Sequence, residues 1–397
     1  MTPRPAQAPH HPALVILILS LGGAVGLGIC RFAYALVLPD MRADLGWNYA
    51  EAGFMNTVNA AGYLAGAMAA SAAIRRIGLF GAVVWGTLIC VAALFASGGS
   101  GNFVVLSAAR ALAGFGAALA FVGGGTLAAR IAQVDARRSS LLLGLFYTGP
   151  STGIMVSGLL TPALLERLGP GSWWIIWLVL AAISAAACAL LPFARTATAQ
   201  PAADAPASAV RMAPFLPILT SYFLFGAGYI AYMTFMIAWV RDAGGGALAQ
   251  SVFWCLIGVG AFASPWTWSG MLGRVRSGRG TALLNAVTVI GAVLPLIDTS
   301  PLMLGLSAMV FGNAFFAVVT STTAFIRHNF AFEAWPKAIA IMTIAFSIGQ
   351  TLGPVLIGAI TDAVGSLSAA LMVSAAMLGA GVIAAAFQRA LRSDPAV

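Results

Sequence analysis

Twelve long apolar runs, joined by short polar or glycine-rich segments, constrain the fold of this chain more than any other feature of its sequence. Hydrophobic residues make up 60% of the 397 residues and charged residues only 8%, too few to cover the surface of a soluble protein of this length. A membrane-spanning helix needs about 20 apolar residues, and each run is of that order. The sequence therefore predicts an all-α membrane protein with twelve transmembrane helices. The runs cover residues 13–38, 50–73, 79–97, 102–130, 140–164, 171–192, 214–240, 248–270, 281–297, 301–326, 337–361 and 367–388.

A polar stretch from Arg195 to Arg211, rich in Ala, Pro, Ser and Thr, separates the first six runs from the last six. Such a composition is typical of a flexible linker. We therefore expect two six-helix domains, with a short leader before the first and a short tail after the second. The predicted segments are a leader 1–12, a domain 13–192, a linker 193–213, a domain 214–391 and a tail 392–397.

Most Lys and Arg residues lie in the joints that would face one side of the membrane. Because basic residues accumulate in cytoplasmic loops, this bias predicts that both termini are cytoplasmic. We expect the chain to lie in the inner membrane. The same bias explains the net charge of +9, so we expect a lipid bilayer around the chain and no nucleic-acid partner. The residues predicted inside are Arg4, Arg75, Arg76, Arg130, Arg137, Arg138, Arg195, Arg211, Arg274, Arg276, Arg279, Arg327, Lys337, Arg389 and Arg392, and those outside are Arg42, Arg167 and Arg241.

The two halves carry matching residues at a constant interval, as from Gly26 to Gly226. Since each half has an even number of spans, the two repeats share one orientation in the membrane. Parallel repeats of six spans are typical of one superfamily of transporters, which holds its substrate near the midplane between the halves. The matched pairs are Gly26 and Gly226, Gly28 and Gly228, Arg76 and Arg276, Gly78 and Gly278, Ser107 and Ser307, Phe115 and Phe315, Phe146 and Phe346, Gly149 and Gly349, Gly153 and Gly353, and Gly158 and Gly358.

Two motifs allow a family resemblance to be named. Span 1 carries Gly28-x-x-Arg31-Phe-Ala-Tyr34-x-x-x-x-Pro39, and span 7 carries Gly226-x-Gly228-Tyr229-x-x-Tyr232-x-Thr234-Phe235. Both resemble the YbfB/YjiJ-like bacterial branch of the major facilitator superfamily, and the resemblance to the superfamily extends over essentially the whole chain. It implies two pseudo-symmetric six-helix bundles that rock around a central substrate site, with spans 1, 4, 7 and 10 lining the cavity.

Two further motifs of this superfamily are present. The fourth span is similar to a pattern whose arginine is linked in relatives to proton coupling, and the fifth is similar to the core of the antiporter motif. Small residues in the fifth span would let that helix bend and pack closely. The motifs are Arg110-x-x-x-Gly114-x-Gly116 and Gly149-Pro150-x-x-Gly153. The resemblance implies coupling or gating roles for Arg110, Gly149, Pro150, Gly153, Gly353 and Pro354.

Two arginines lie deep in the predicted spans, Arg31 in the first and Arg110 in the fourth. Each lies roughly 12 Å from the outer end of its helix, and an unpaired cation at such a depth costs on the order of 2.5 kcal/mol or more. All eleven acidic residues fall in loops or at helix ends. Arg31 either contacts an anion directly or binds helix ends and the first outer loop. For Arg110, the alternatives are substrate contact and bonds to backbone carbonyls of neighbouring helices.

Other polar and aromatic residues recur at helical spacing in spans 2, 5, 7, 10 and 11, including Thr343, Ser347 and Gln350 in span 11. A stripe of this kind more often packs a buried helix than binds a ligand. The stripe of span 7 is favoured as a site because its phenol hydroxyls need partners inside a membrane. The candidate substrate-binding residues are Arg31, Tyr34, Arg110, Tyr147, Tyr229, Tyr232, Asn313 and Phe316.

These features predict a monomeric secondary active transporter for a small organic anion, a carboxylate with an apolar or aromatic body. Proton coupling is favoured, although entry of the anion with its own proton and anion exchange are both compatible with a cavity that holds only arginines. The alternatives are a proton-antiporting exporter of drugs or hydrophobic compounds and a non-transporting membrane sensor. The sequence has no phosphate-binding loop and no nucleophile–base pair, so we expect neither ATP-driven transport nor an enzyme. Four isolated cysteines indicate neither disulfides nor a metal site, and we expect no cofactor.

Overall fold

The computed structural model describes residues 11–133, 139–195, 213–331 and 334–391. Most of the predicted leader, linker and tail lies outside these ranges. Within them the chain is helical and has no β-strand. The elements are α1 (Pro12–Leu45), α2 and α3 (the two parts of Tyr49–Gly98), α4 (Phe103–Gln133), α5 (Ser139–Leu168), α6 (Trp173–Leu190), α7 (Leu216–Asp242), α8 (Ala247–Leu272), α9 (Arg279–Ile297), α10 (Pro301–Asn329), α11 (Trp335–Val364), α12 (Leu367–Ala386) and the 3₁₀ turns Leu191–Ala194 and Ala213–Phe215.

The prediction of twelve membrane-spanning helices is confirmed. Ten helices of the described chain are long and apolar enough to cross a membrane, with the 50-residue helix Tyr49–Gly98 counted once. That helix breaks at Gly78, whose φ of 74° and ψ of 169° are non-helical, so it comprises two spans, α2 (49–77) and α3 (79–98). A positive φ of this kind is open to glycine without a steric penalty. The helix α5, 30 residues long, is not among the ten but packs against α1 and α8.

The first helix differs from its prediction in two ways. Its apolar run ends at residue 38, but the helix continues through Pro39 to Leu45. In its middle, Ala24–Phe32 form a nine-residue π segment, which contains Arg31. Such segments are rare and frequently occur at functional sites. Each residue of an α-helix turns the chain by about 100°. The turns of a π segment are wider, so the residues that follow it lie on different faces of the helix than they would in a continuous α-helix.

The bundles α1–α6 and α7–α12 meet along three seams. α2 packs against α11, α5 packs against α8, and the second half of α1 packs against α7. Among the described residues, α4 makes no extensive contact with α10 or α11. The two bundles are therefore joined along their sides, by α2 with α11 and by α5 with α8, and where the second half of α1 meets α7.

The match between the fifth and eleventh spans holds at the level of packing. A Cβ on Gly153 would overlap the carbonyl oxygen of Ala24 in α1, and a Cβ on Gly353 would overlap that of Ala227 in α7. Each glycine therefore lets one helix lie directly on the backbone of the first helix of its own bundle.

The matched glycines of α1 and α7, in contrast, do not occupy equivalent places. A Cβ on Gly26 would lie 2.9 Å from Ala117 in α4, whereas one on Gly226 would lie 2.5 Å from the carbonyl oxygen of Phe346 in α11. The interval that relates α5 to α11 therefore does not relate α1 to α7 in the same way. The π segment in α1 accounts for a shift of this kind, because it changes the register of that helix against its neighbours.

The helix ends define two faces of the molecule. The basic face carries the α2–α3 and α8–α9 connections and the end of α10, and the acidic face carries the opposite helix ends. The basic residues of the first are Arg75, Arg76, Arg274, Arg276, Arg279 and Arg327, and the acidic residues of the second are Asp40, Asp44, Glu51, Asp242, Asp298 and Asp362.

The bundles are closed against each other at the acidic face. The carboxylate of Asp362, near the end of α11, accepts hydrogen bonds from the backbone N–H groups of Tyr49 (2.9 Å) and Ala50 (2.8 Å) at the start of α2. A negative charge at a helix N-terminus is also favoured by the helix dipole. One turn deeper, a Cβ on Gly53 would overlap the carbonyl oxygen of Pro354. Asp362 therefore joins the two bundles at this face.

Substitution of Asp362 by asparagine is expected to loosen this closure. The change removes a charge–dipole interaction worth about 1 kcal/mol, which corresponds to a roughly fivefold higher ratio of open to closed molecules. Ala238 is 5% exposed and lines a cavity of about 100 Å³ between the bundles at this face. A cysteine introduced by Ala238→Cys should therefore react several-fold faster with a water-soluble maleimide when Asp362→Asn is also present.

Asp40→Asn is the matched control. The carboxylate of Asp40 also accepts two backbone N–H groups, from Gly171 and Trp173 at 3.0 Å each, but all three residues belong to the first bundle. This substitution should leave the labelling rate unchanged. Equal rates for both variants would contradict the assignment of Asp362 to closure between the bundles.

Candidate functional site

Arg31 lies where the two bundles meet at the centre of the molecule. Its side chain is 5% exposed. The guanidinium Nη2 donates to Oε1 of Gln350 in α11 and to the hydroxyl of Tyr229 in α7 at 3.3 Å. The Tyr229 hydroxyl in turn donates to the same Gln350 oxygen at 3.1 Å. These three residues, here called the Arg31 bridge, connect α1 of one bundle to α7 and α11 of the other.

The Arg31 bridge leaves polar atoms without partners. Nε of Arg31, Nε2 of Gln350 and the hydroxyl of Ser347, one turn earlier in α11, are buried and make no hydrogen bond. Each such group costs about 1–3 kcal/mol, and buried polar groups without partners are rare in folded proteins. At the centre of the interface, each bundle therefore contributes buried polar groups that have no hydrogen-bond partner in the described chain.

The charge of Arg31 has no acidic counterpart in the described chain. Asp40 is the one buried acidic residue there, and its carboxylate binds the start of α6 at the acidic face. The groups around Arg31 are neutral: the Tyr229 phenol, the Gln350 amide and the ring of Tyr63, whose centre lies 5.7 Å from the guanidinium carbon. A cation–π contact of this kind offsets only part of the cost of burying the charge. The site is therefore suited to an anion.

Aromatic rings form a wall beside the Arg31 bridge. Phe225 stacks on Tyr229 with 4.8 Å between ring centres, and Tyr222 stacks on Phe346 at 4.7 Å. Rings in such offset arrangements attract each other beyond the area they bury. The aromatic wall consists of Tyr222, Phe225, Tyr229, Phe315, Phe316 and Phe346.

Arg110 has a different environment from Arg31. Its guanidinium donates to the carbonyl oxygens of Cys30 and Met55, the latter at 3.4 Å, and to the side-chain oxygen of Asn56 at 2.7 Å. The ring of Tyr34 lies 4.6 Å from the guanidinium carbon. All these groups belong to the first bundle. Arg110 therefore ties α4 to α1 and α2, which was one of its two predicted roles.

The contacts of Arg110 continue to the second bundle through two further polar residues. Asn56, which accepts from Arg110, donates through its amide to the hydroxyl of Thr234 in α7 at 2.7 Å. Tyr34 donates its hydroxyl to the carbonyl of Ala52 at 2.7 Å and is buried. Tyr34 and Arg110 therefore lie close to the interface without presenting free donors to it.

The remaining predicted site residues lie at unequal distances from the Arg31 bridge. Phe316 belongs to the aromatic wall and meets the ring of Phe32, next to Arg31, edge-on at 6.2 Å. Phe316 is thus brought to the same region as Arg31. Tyr147 is 48% exposed, and its ring meets those of Phe121 in α4 and Phe146 in α5.

Tyr232 and Asn313 are directed into the second bundle instead. The Tyr232 hydroxyl is 2.6 Å from that of Ser307 in α10, and its ring stacks on Phe311 at 4.0 Å. The Asn313 side chain accepts from the indole of Trp268 in α8 at 2.8 Å. Both contacts join helices within the second bundle.

The glycine–proline motif of α5 lies against the π segment of α1. Pro150 lies 3.3 Å from the position of a Cβ on Gly23, and a Cβ on Gly28 would lie 2.5 Å from the Cα of Gly153. The two backbones can be this close only because glycines face each other. The motif therefore supports the part of α1 that carries Arg31.

Gly153→Ala is expected to lower thermal stability, because the added Cβ must displace α5 from α1, at a cost of about 1–3 kcal/mol. Gly144→Ala in the same helix is the control, since its Cβ would meet only Trp266, at 3.8 Å. The unfolding temperature of the purified variants in one detergent measures the difference. If both variants unfold at the wild-type temperature, close contact at Gly153 does not stabilise the bundle.

Comparisons with known proteins agree with this architecture. A sequence profile of the family described as "Uncharacterised MFS-type transporter YbfB" matches residues 23–387. The chain belongs to this family of the major facilitator superfamily. Its members are transporters and not enzymes, which confirms the prediction that this chain is a transporter.

Two similar proteins illustrate the range of the superfamily. A chloramphenicol resistance protein of Streptomyces lividans is 28% identical over 370 residues, which cover 89% of this chain and 92% of that protein. The crystal structure of a variant of the nucleoside transporter NupG has a TM-score of 0.67 and 15% identity, and the match covers 93% of this chain and 98% of that one. The second similarity is one of fold, and it confirms the two-bundle architecture.

Sequence reasoning did not assign two residues that the structure places at the centre. Gln350 belongs to the polar stripe of span 11, but nothing in its spacing indicates that it meets Arg31. Phe346 falls in the repeat pattern as the counterpart of Phe146 and is instead part of the aromatic wall. A polar stripe on a helix that faces the other bundle is the signal that could have identified Gln350.

Proposed function

We propose that this chain is a secondary active transporter that carries a small organic anion, a carboxylate with an aromatic or apolar body. The observation that supports this proposal is the state of Arg31. Its guanidinium is buried at the interface of the two bundles, is held by neutral groups, and keeps an unused Nε donor. A guanidinium binds a carboxylate through two parallel hydrogen bonds, which Nε and one Nη can supply.

The surroundings of Arg31 suit the rest of such a substrate. The aromatic wall offers flat apolar surfaces to an aromatic body. Tyr147, half exposed, lies near the start of α5, toward the basic face. We therefore propose that the substrate enters and leaves this state of the protein between the bundles at the basic face, past Tyr147. Low water content at the centre would strengthen the attraction between the carboxylate and Arg31.

We also propose that the basic face is cytoplasmic, because basic residues concentrate there. In that orientation both termini are cytoplasmic, and a structure closed at the acidic face is closed toward the outside. Proton coupling is part of the proposal. Since the described chain has no buried carboxylate at its centre to carry a proton, the proton would accompany the substrate. Transport that responds neither to an imposed pH gradient nor to a protonophore would rule out this coupling.

A second candidate is the export of uncharged aromatic compounds. The similarity to a chloramphenicol resistance protein and the glycine–proline motif of α5 favour it. An uncharged substrate would use the aromatic wall and would leave the charge of Arg31 without a counter-ion. The two candidates therefore differ in whether binding requires a negative charge.

A thermal-shift screen of organic anions, cations and neutral compounds on the purified protein tests the proposal, with Arg31→Ala as the comparison. We expect stabilisation by aromatic carboxylates in the wild type and none in the variant. Stabilisation by cations or neutral compounds, or equal stabilisation of Arg31→Ala by anions, would overturn it. Flux of the stabilising compound into proteoliposomes then distinguishes a transporter from a membrane sensor, which would bind without flux.

A further inference from the structure

The Gln350 oxygen occupies the place where two donors converge. The Arg31 guanidinium and the Tyr229 hydroxyl both donate to Oε1 of Gln350. No other acceptor in the described chain is shared by these two donors. Oε1 thus takes the position that an oxygen of a carboxylate would occupy if it bound to Arg31 and Tyr229 together.

We propose that Gln350 is a specificity-determining residue whose carboxamide oxygen stands in for a substrate carboxylate oxygen and is displaced when the substrate binds. This inference rests on the proposed function and names the residue with which the substrate competes. The pairing of Gln350 is one-sided, because its Nε2 is buried without an acceptor and the adjacent Nε of Arg31 is buried without one too. A carboxylate can accept from both Nη2 and Nε of Arg31, which a single amide oxygen does not.

Whether a ligand displaces Gln350 depends on how strongly Arg31 binds the ligand compared with the Gln350 amide. The bond from the Arg31 guanidinium to a neutral amide is already stronger than one between neutral groups. A carboxylate adds a second parallel hydrogen bond and the attraction of opposite charges, which is strong where little water is present. A carboxylate therefore displaces Gln350, whereas an amide, ester or alcohol gains too little to do so. Gln350 thus makes the site bind anions more tightly than neutral compounds of the same shape.

Displacement of Gln350 also changes the contact between the bundles. In this structure the Arg31 bridge joins α1 directly to α11, which belong to different bundles. A bound carboxylate would hold Arg31 and Tyr229 and release Gln350, so that the central contact between the bundles would run from α1 through the substrate to α7 and no longer directly to α11. Occupation of the site would therefore change which helices join the two bundles, and a ligand shifts a conformational equilibrium through such differences in contacts.

The variants Gln350→Glu and Gln350→Met separate the possible outcomes. Glutamate would place a permanent carboxylate beside Arg31, so that the variant should unfold at a higher temperature without ligand and bind phenylacetate about tenfold to a hundredfold more weakly. Methionine removes the competing oxygen, so that this variant should bind phenylacetate several-fold more tightly. Thr343→Ala, two turns earlier in α11, is the control, because the Thr343 hydroxyl donates within its own helix to the carbonyl of Ile339 at 2.9 Å. This variant should bind like the wild type.

Three results would decide against the proposal. Wild-type affinity for phenylacetate in Gln350→Glu, weaker binding in Gln350→Met, or no thermal stabilisation of Gln350→Glu would each overturn it. If the wild type bound no aromatic carboxylate at all, the proposed function itself would fail. In that case the unfolding temperature of Gln350→Glu, which needs no ligand, still reports whether a carboxylate fits beside Arg31.

Discussion

Replacement of Arg110 by methionine is expected to destabilise the protein by about 3 kcal/mol or more, whereas the same replacement of Arg31 should change its stability little. Arg110 donates to the oxygens of Cys30, Met55 and Asn56, and these groups lose their charged donor in the variant. Arg31 donates only to Tyr229 and Gln350, which still bind each other at 3.1 Å without it. Removal of an uncompensated buried charge also relieves a cost.

The unfolding temperature and the yield of folded protein in detergent measure this difference. Arg110→Met should unfold many degrees below the wild type or fail to accumulate, while Arg31→Met should accumulate and unfold near the wild-type temperature. The two arginines lie at similar depth and are 3% and 5% exposed, so they form a matched pair. If Arg31→Met is the less stable variant, then Arg31 is a structural residue and the candidate site is wrong.

Arg31→Lys is expected to abolish most transport although it keeps the positive charge. An ammonium group is a point charge on a flexible chain and cannot supply the two parallel donors of a guanidinium. The loss of one charged hydrogen bond costs about 1.5–3 kcal/mol, which is roughly tenfold to a hundredfold in apparent affinity. Uptake of a radiolabelled aromatic carboxylate into proteoliposomes, measured over a range of concentrations, gives this change as an increase in KM.

Arg42→Lys is the control for that experiment. Arg42 lies at the acidic face, with its guanidinium carbon 4.1 Å from the ring centre of Tyr49, away from the Arg31 bridge. Its replacement should leave the KM for the carboxylate unchanged. An equal increase in both variants, or an unchanged KM in Arg31→Lys, would contradict a direct contact between Arg31 and the substrate.

The fold of this protein could be predicted from its sequence because a membrane imposes a simple rule on length and polarity. Each apolar run long enough to cross a bilayer forms a helix, since backbone groups in lipid must be satisfied within the segment. The linker from Arg195 to Arg211 and the glycines of α5 and α11 then indicated two repeated bundles. Chain length and hydrophobicity thus determine the architecture before any side-chain contact is known.

The candidate site could be predicted only in part. Arg31 and Arg110 look alike in sequence, each a single arginine in an apolar run, and only tertiary contacts show that the first lacks acceptors that the second has. Tyr229 was identified from its stripe, but its partner Gln350 comes from another helix, more than a hundred residues later in the chain. Pairing across helices depends on register, which spacing within one helix does not determine.

The π segment of α1 is the other feature that sequence reasoning missed. Gly26 and Gly28 were interpreted as members of a repeat, whereas in the structure they let α4 and α5 approach the wide turns of Ala24–Phe32. Glycine at helical spacing predicts close packing in general but not the type of helix. The orientation of the Arg31 side chain depends on this local geometry and therefore could not be predicted from the spacing of residues.

The most direct test of the central claim is a calorimetric titration of the purified protein with phenylacetate and with phenylacetamide. The two compounds share their shape and aromatic ring, and they differ in the charge that Arg31 would recognise. We predict that phenylacetate binds the wild type at least tenfold more tightly than phenylacetamide does, and that Arg31→Met, which we expect to stay folded, loses this preference. Equal binding of both compounds to the wild type, or an unchanged preference in Arg31→Met, would contradict the assignment of Arg31 as the anion-binding residue.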